Sequence, residues 1–168
     1  MLNADTTRDQ VSDSPDNGDI LVKLKPTIAS LAAIQEAQAS DPILASVKEW
    51  LLTGVKPQSI QAFRAPKELV SYWKQFNLLS LKDGIIMRKW IPVNNGDEED
   101  ERLLICVPEK NQEPVLNMCH TSLIANHPGI KLTLDICRRY YYWPGMTHDI
   151  ELYVKACITC GKVKQPQD

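Results

Sequence analysis

The chain has 168 residues, 43% of them hydrophobic and 24% charged, which suits one modest globular unit or two very small ones and excludes a large multidomain enzyme. No apolar run approaches the roughly 20 residues that cross a bilayer, and the first 20 residues hold five aspartates against one arginine, so neither a membrane helix nor a secretory signal is predicted. Formal net charge is -2, from 19 Lys and Arg against 21 Asp and Glu, so no global field draws the protein onto nucleic acid and any such contact must be local.

Five cysteines, an odd count without a signal sequence, point to a reducing intracellular compartment where thiols stay free or bind metal. The protein is expected to be intracellular and not secreted.

Residues 1–26 are polar, acidic and free of aromatics, with too little apolar surface to offset the entropy of ordering, and predict a disordered tail. From Asp41 the pattern changes. Asp41 suits an N-cap, Pro42 the first helical position, and Ile43, Leu44, Val47, Trp50 and Leu51 recur at helical spacing until Gly54. A second helix is predicted from Pro66, with Leu69, Trp73 and Phe76 as its apolar stripe. The segment 78–90 predicts a β-hairpin closed by Asp83-Gly84, which supplies the positive φ that a tight turn demands. Arg102 to Pro108 reads as a third strand beyond a solvated acidic loop over 94–100. Trp50, Trp73 and Trp90 read as core aromatics rather than a binding platform.

The last third predicts three helices, over 113–119, 129–140 and 147–157. The third is capped by Thr147, with Asp149 and Glu151 favoured by the helix dipole and Ile150, Tyr153, Val154, Cys157 and Ile158 on one face. Trp143-Pro144-Gly145 marks the turn before it. The predicted class is therefore α+β: a disordered tail over 1–26, a small helix plus three-stranded extension unit over 27–110, and a three-helix domain over 111–168.

Four residues in that domain carry chemistry. His120 and His127 have six residues between them, and Cys157 and Cys160 form a Cys-x-x-Cys pair about thirty residues later. Two thiolates balance the two charges of a zinc ion and two neutral imidazoles complete a tetrahedral shell, so the site is buried without net charge. About fifty residues in three short helices fall below the size at which a core alone is dependable, whereas a structural zinc site contributes on the order of 10 kcal/mol of apparent binding energy. One structural Zn²⁺ is predicted, and the bundle should melt without it. A Cys-x-x-Cys pair also suits redox chemistry, but that chemistry wants a preceding strand and a helix beginning at the motif. His148 reads as a surface residue, with replacement of one of the four ligands as the alternative, and Cys119, adjoining His120, is a second alternative ligand. Cys106 and Cys137 read as small core residues.

The stretch His120 to Cys160, with His127-Pro128-Gly129, the run Arg138-Arg139-Tyr140-Tyr141-Tyr142-Trp143-Pro144-Gly145-Met146 and the closing Cys157-x-x-Cys160, closely resembles the His-His-Cys-Cys zinc-binding domain of retroviral and gypsy-type LTR-retrotransposon integrases. The upstream strands over 78–108 look like the small extension subdomain that precedes this domain in gypsy-type and spumavirus-like integrases. The resemblance implies a zinc-stabilised bundle resembling a helix-turn-helix that contacts element-end DNA, self-associates and works beside other integrase domains. It implies no catalysis here, because the family's three-carboxylate core follows the zinc domain and no such arrangement can be placed in this chain. The expected role is thus a non-enzymatic, zinc-binding module of a retrotransposon integrase-like protein in DNA integration, with no small-molecule substrate and no membrane partner. The alternative is a domesticated or truncated retroelement protein that serves only as a protein-protein interaction module.

From residue 117 to 168 six basic side chains face four acidic ones, a net of +2 and a weak footprint for phosphate. Arg138 and Arg139, with Lys162 and Lys164, are the candidate nucleic-acid contacts, against the alternative of a solvated basic face. The aromatic run 140–143 reads as packing at a helix-to-helix junction rather than a stacking surface.

Overall fold

The structure is a computed structural model that describes residues 31–60, 64–91, 102–122 and 125–163. The tail predicted over 1–26 and the loop predicted over 94–100 lie outside the described residues.

Helix α1 (Leu31–Ala39) has no counterpart among the predicted elements. It leads directly into α2 (Pro42–Thr53), where Asp41 Oδ1 accepts the amides of Ile43 and Leu44 and Gly54 ends the helix at φ 67°. Helix α3 (Lys67–Lys74) begins after Pro66 as expected, but its buried anchor is Tyr72, with Leu69, Trp73 and the following Phe76 only half-buried. Trp73 instead uses its indole N–H, which donates to Pro57 O at 2.8 Å.

The hairpin follows as β1 (Leu79–Lys82) and β2 (Ile85–Lys89), joined by Asp83 and Gly84 at φ 50° and 72°. Strand β3 (Leu103–Cys106) pairs antiparallel with β2. Where β2 and β3 part, the fully buried amide of Gln38 on α1 takes the place of a strand: it donates to Ile86 O and Cys106 O and accepts from Ile86 N. Backbone groups that would otherwise be buried without partners are satisfied by one side chain.

The C-terminal part holds α4 (Glu109–His120), α5 (Ile130–Cys137), α6 (Met146–Ala156) and the short α7 (Ile158–Val163). The α+β class stands, with two departures from the expected layout. Four helices rather than three make up this part. The run between α5 and α6 packs as expected, with Tyr141 and Trp143 buried, but it also holds a strand: Tyr141–Tyr142 form β4, which pairs parallel with β3 through Ile105 N to Tyr140 O and Val107 N to Tyr142 O. The sheet order is β1-β2-β3-β4, so the three-stranded unit gains a fourth strand from the far side of the chain. Aromatic and β-branched side chains on both partners suit this pairing, whereas a two-residue strand has too short a period to show in a sequence.

Successive residues of β3 face opposite ways and divide the interior. Cys106 enters a core with Leu44, Val47, Tyr72 and Ile86, while Val107 enters a second with Val115, Leu116, Tyr141, Trp143 and Ile150. Asp41 ties the halves together, since its Oδ2 accepts the amide of Glu109 at the start of α4 while its Oδ1 caps α2. Of the expected core tryptophans 50, 73 and 90, all half-buried, Trp50 packs against the first core; the fully buried one is Trp143, whose Nε1 donates to Asp149 Oδ2.

Candidate metal centre

His120 is the last residue of α4, a helix three turns long that starts after Pro108 and runs four residues earlier than the predicted 113–119. Its side chain is fully buried. The chain then turns back so that His127 N donates to His120 O at 2.9 Å, and Asn126 and His127 both take left-handed conformations, at φ 51° and 54°. Asn and His are among the few residue types that tolerate this region, and the two residues together swing the second imidazole toward the first. The rings meet edge to face with centroids 5.2 Å apart.

Cys157 caps the C-terminus of α6 and Cys160 lies in the first turn of α7, so the Cys-x-x-Cys pair joins two helices rather than ending one. No strand precedes it, and the redox arrangement is not reproduced. Ile158, expected on the apolar face, is 75% exposed because the chain direction changes at Cys157. Thr147 does not cap α6. The cap is Gly145 at φ 86°, with no side-chain bond, and Thr147 Oγ1 accepts from Arg138 instead.

The four groups converge. One ligand atom from each of His120, His127, Cys157 and Cys160 lies within 4.8 Å of the other three. Cys157 Sγ is 3.3 Å from His127 Nδ1, and Cys160 Sγ is 3.5 Å from His120 Nε2. Tetrahedral zinc with Zn–S of about 2.3 Å and Zn–N of about 2.0–2.1 Å sets N···S edges of about 3.5 Å, so these separations are those of a shell drawn around one ion. The cluster is suited to one zinc ion.

A further residue orients the first ligand. Thr133, fully buried on α5, donates its hydroxyl proton to Pro128 O at 3.1 Å. Its lone pair therefore faces His120 Nδ1 at 3.2 Å, which makes Nδ1 the protonated nitrogen and leaves Nε2 as the ligand atom. Thr133 escaped sequence reading, although its spacing with Ile130 and Cys137 places a hydroxyl on the buried stripe of α5. Tyr153 of α6 packs edge to face on the same imidazole, with centroids 5.8 Å apart.

The electrostatics fit the same chemistry. Burial, with a smaller contribution from His127, holds His120 below the usual histidine range and favours the neutral, ligating form. The Cys157 thiol is held below the usual cysteine range, chiefly by the Cys160 amide, which donates to its sulfur. The other cysteines are elsewhere. Burial pushes the Cys106 thiol up to about 12, while Cys119 and Cys137 are buried and hydrogen-bonded to each other. Neither Cys119 nor the exposed His148 joins the cluster.

Of the candidate phosphate contacts, Arg138 is half-buried at the end of α5 and Arg139 is exposed beside it. The Lys162 side chain and the whole of Lys164 lie outside the described residues. Among the described residues, no helix is long and apolar enough to cross a membrane.

Residues 107–166 match the family model of the integrase zinc binding domain. Among curated proteins, the chain is 33% identical over 69 residues to gypsy retrotransposon integrase-like protein 1 of Macaca fascicularis and of Homo sapiens. The Bos taurus protein of that name is 36% identical over 55 residues. The aligned stretch covers 41% of this chain and 13% of the macaque and human relatives, and 33% and 11% respectively for the bovine one.

Proposed function

We propose that the chain is a non-catalytic module of a retrotransposon integrase-like protein, in which one zinc ion held by His120, His127, Cys157 and Cys160 organises α4 to α7 for nucleic-acid binding and self-association. The convergence of these four ligand atoms within 4.8 Å, inside a segment of the integrase zinc-binding family, carries this reading. The ion's contribution is structural. Four protein ligands fill a tetrahedral shell, which leaves no open position for a reacting water.

Nucleic acid is the partner that local charge favours, with Arg138 and Arg139, and the lysines 162 and 164 that follow, as the phosphate contacts; the work would be done in the nucleus. Fluorescence anisotropy of the zinc-loaded chain on duplex DNA across a salt series tests this. Affinity should fall steeply with salt, and joint replacement of Arg138 and Arg139 by Gln should weaken binding while leaving helicity intact. Salt-independent or absent binding would leave the second reading, an interaction module. That reading draws support from Leu132, Leu152 and Ile158, large apolar side chains more than half exposed on this domain. Light scattering of the purified chain would then report a partnered or self-associated species without DNA affinity.

A further inference from the structure

A groove of about 460 Å³ lies where the sheet meets the start of α6, distinct from the metal cluster. Arg88 at the end of β2, Trp90 just beyond it, Tyr142 of β4 and Arg138 from the end of α5 form its walls, and His148 its rim. Its floor is apolar, made of the buried Leu104, Trp143 and Met146. Among the described residues no carboxylate lines it, and α6 opens onto it at Gly145 without a side-chain cap.

Both guanidiniums are held in place. Arg88 lies over the Tyr142 ring at 4.5 Å and donates through Nε to Gln75 Oε1 at 2.7 Å and through an Nη to Lys89 O. Arg138 donates to Thr147 Oγ1 at 3.0 Å. A guanidinium carries five N–H donors, and these contacts among the described residues engage two on Arg88 and one on Arg138, so donors remain on both for a tetrahedral anion. The half-buried Trp90 supplies an aromatic wall, and the Arg102 guanidinium lies over its ring at 5.4 Å. An anion with an attached planar ring matches this combination. The space suits one nucleotide unit and is too small for a duplex.

We propose that this groove binds single-stranded nucleic acid, with a phosphodiester on Arg88 and Arg138 and an unstacked base against Trp90. The inference rests on the nucleic-acid reading above and assigns it a place and a strand form. It is tested with the full zinc-loaded chain and a labelled 12-nucleotide strand, compared with the duplex of the same sequence. The strand should bind at least about fivefold more tightly than the duplex, and Trp90→Ala and Arg88→Lys should each cost about fivefold or more in strand affinity. Lys131→Gln, outside the groove, should change nothing. Zinc content and circular dichroism report the fold of each variant. Independently of any variant, the Trp90 indole N–H resonance of the unaltered chain should shift as the strand is titrated. A Trp90 resonance that stays fixed while the strand binds would overturn the groove yet leave DNA binding by Arg138 and Arg139 intact, as would undiminished affinity in folded Trp90→Ala. Preference for the duplex would overturn the strand assignment. Absence of salt-sensitive binding to either form would remove both readings together.

Discussion

Thr133 shows how much rests on one hydroxyl. Its donation to Pro128 O forces it to accept from His120 Nδ1, and this fixes which nitrogen faces the cysteines. Thr133→Val preserves the shape and removes the acceptor, so zinc affinity should drop about 10- to 100-fold, measured by competition with a chromogenic chelator, while α5 stays helical. Cys157→Ala, which deletes a ligand, should abolish stoichiometric zinc; Cys106→Ala, in the other core, should leave one zinc per chain by elemental analysis. The pH dependence follows from His120. Its folded value is depressed, so the native state holds the neutral ring, and the unfolded chain takes up the extra proton as pH falls below about 6.5. Stability from this residue is therefore present above that pH and lost on acidification below it, and zinc retention should decline in the same direction. Zinc release that showed no acid dependence between about pH 7 and pH 5 would contradict the assignment.

At the scale of elements, two polar side chains do what no apolar contact can. Gln38 satisfies Ile86 and Cys106 backbone groups from α1, and Gln38→Leu would leave them buried without partners at a cost of about 2–4 kcal/mol, readable by urea denaturation. Asp41 caps α2 and accepts the first amide of α4; Asp41→Ala should cost about 1–2 kcal/mol for the cap and more for the orphaned Glu109 amide, with Asp41→Asn retaining part of it. The Asp41-Pro42 start, the Gly54 stop and the Asp83-Gly84 hairpin were legible because each depends on backbone chemistry confined to a few neighbours. Helix α1 was not legible, because LAAIQEAQA carries little polar-apolar contrast and its key residue is a glutamine facing inward. The Thr147 cap failed for a similar reason: a left-handed Gly145 one residue upstream of α6 satisfied the turn first. The four metal ligands were legible as residue types at a spacing. Their geometry depended on the left-handed pair 126–127, which the sequence marks only by residues that tolerate it.

Across the whole molecule, the ion and the sheet act on different halves of one interior. Chelation of zinc should strip helicity from α4 to α7 and leave the hairpin of β1 and β2 with α2, so circular dichroism should show a partial loss that zinc addition restores. Complete retention of helicity in chelator would mean that the second core suffices without metal. The parallel pairing of β3 with β4 sets the extent of this independence. Residues 103–106 form the strand that pairs with Tyr141 and Tyr142, including the Ile105 amide that donates to Tyr140 O, and they stand just ahead of residue 107, where the family match begins. A fragment cut at that boundary would therefore carry its own zinc ligands yet leave one flank of β4 bare, a sticky edge open to pairing with any passing strand. Extending the fragment upstream to 78, to take in the whole of β1 to β3, would close that flank, and the shorter and longer pieces should differ in solubility far more than in zinc uptake.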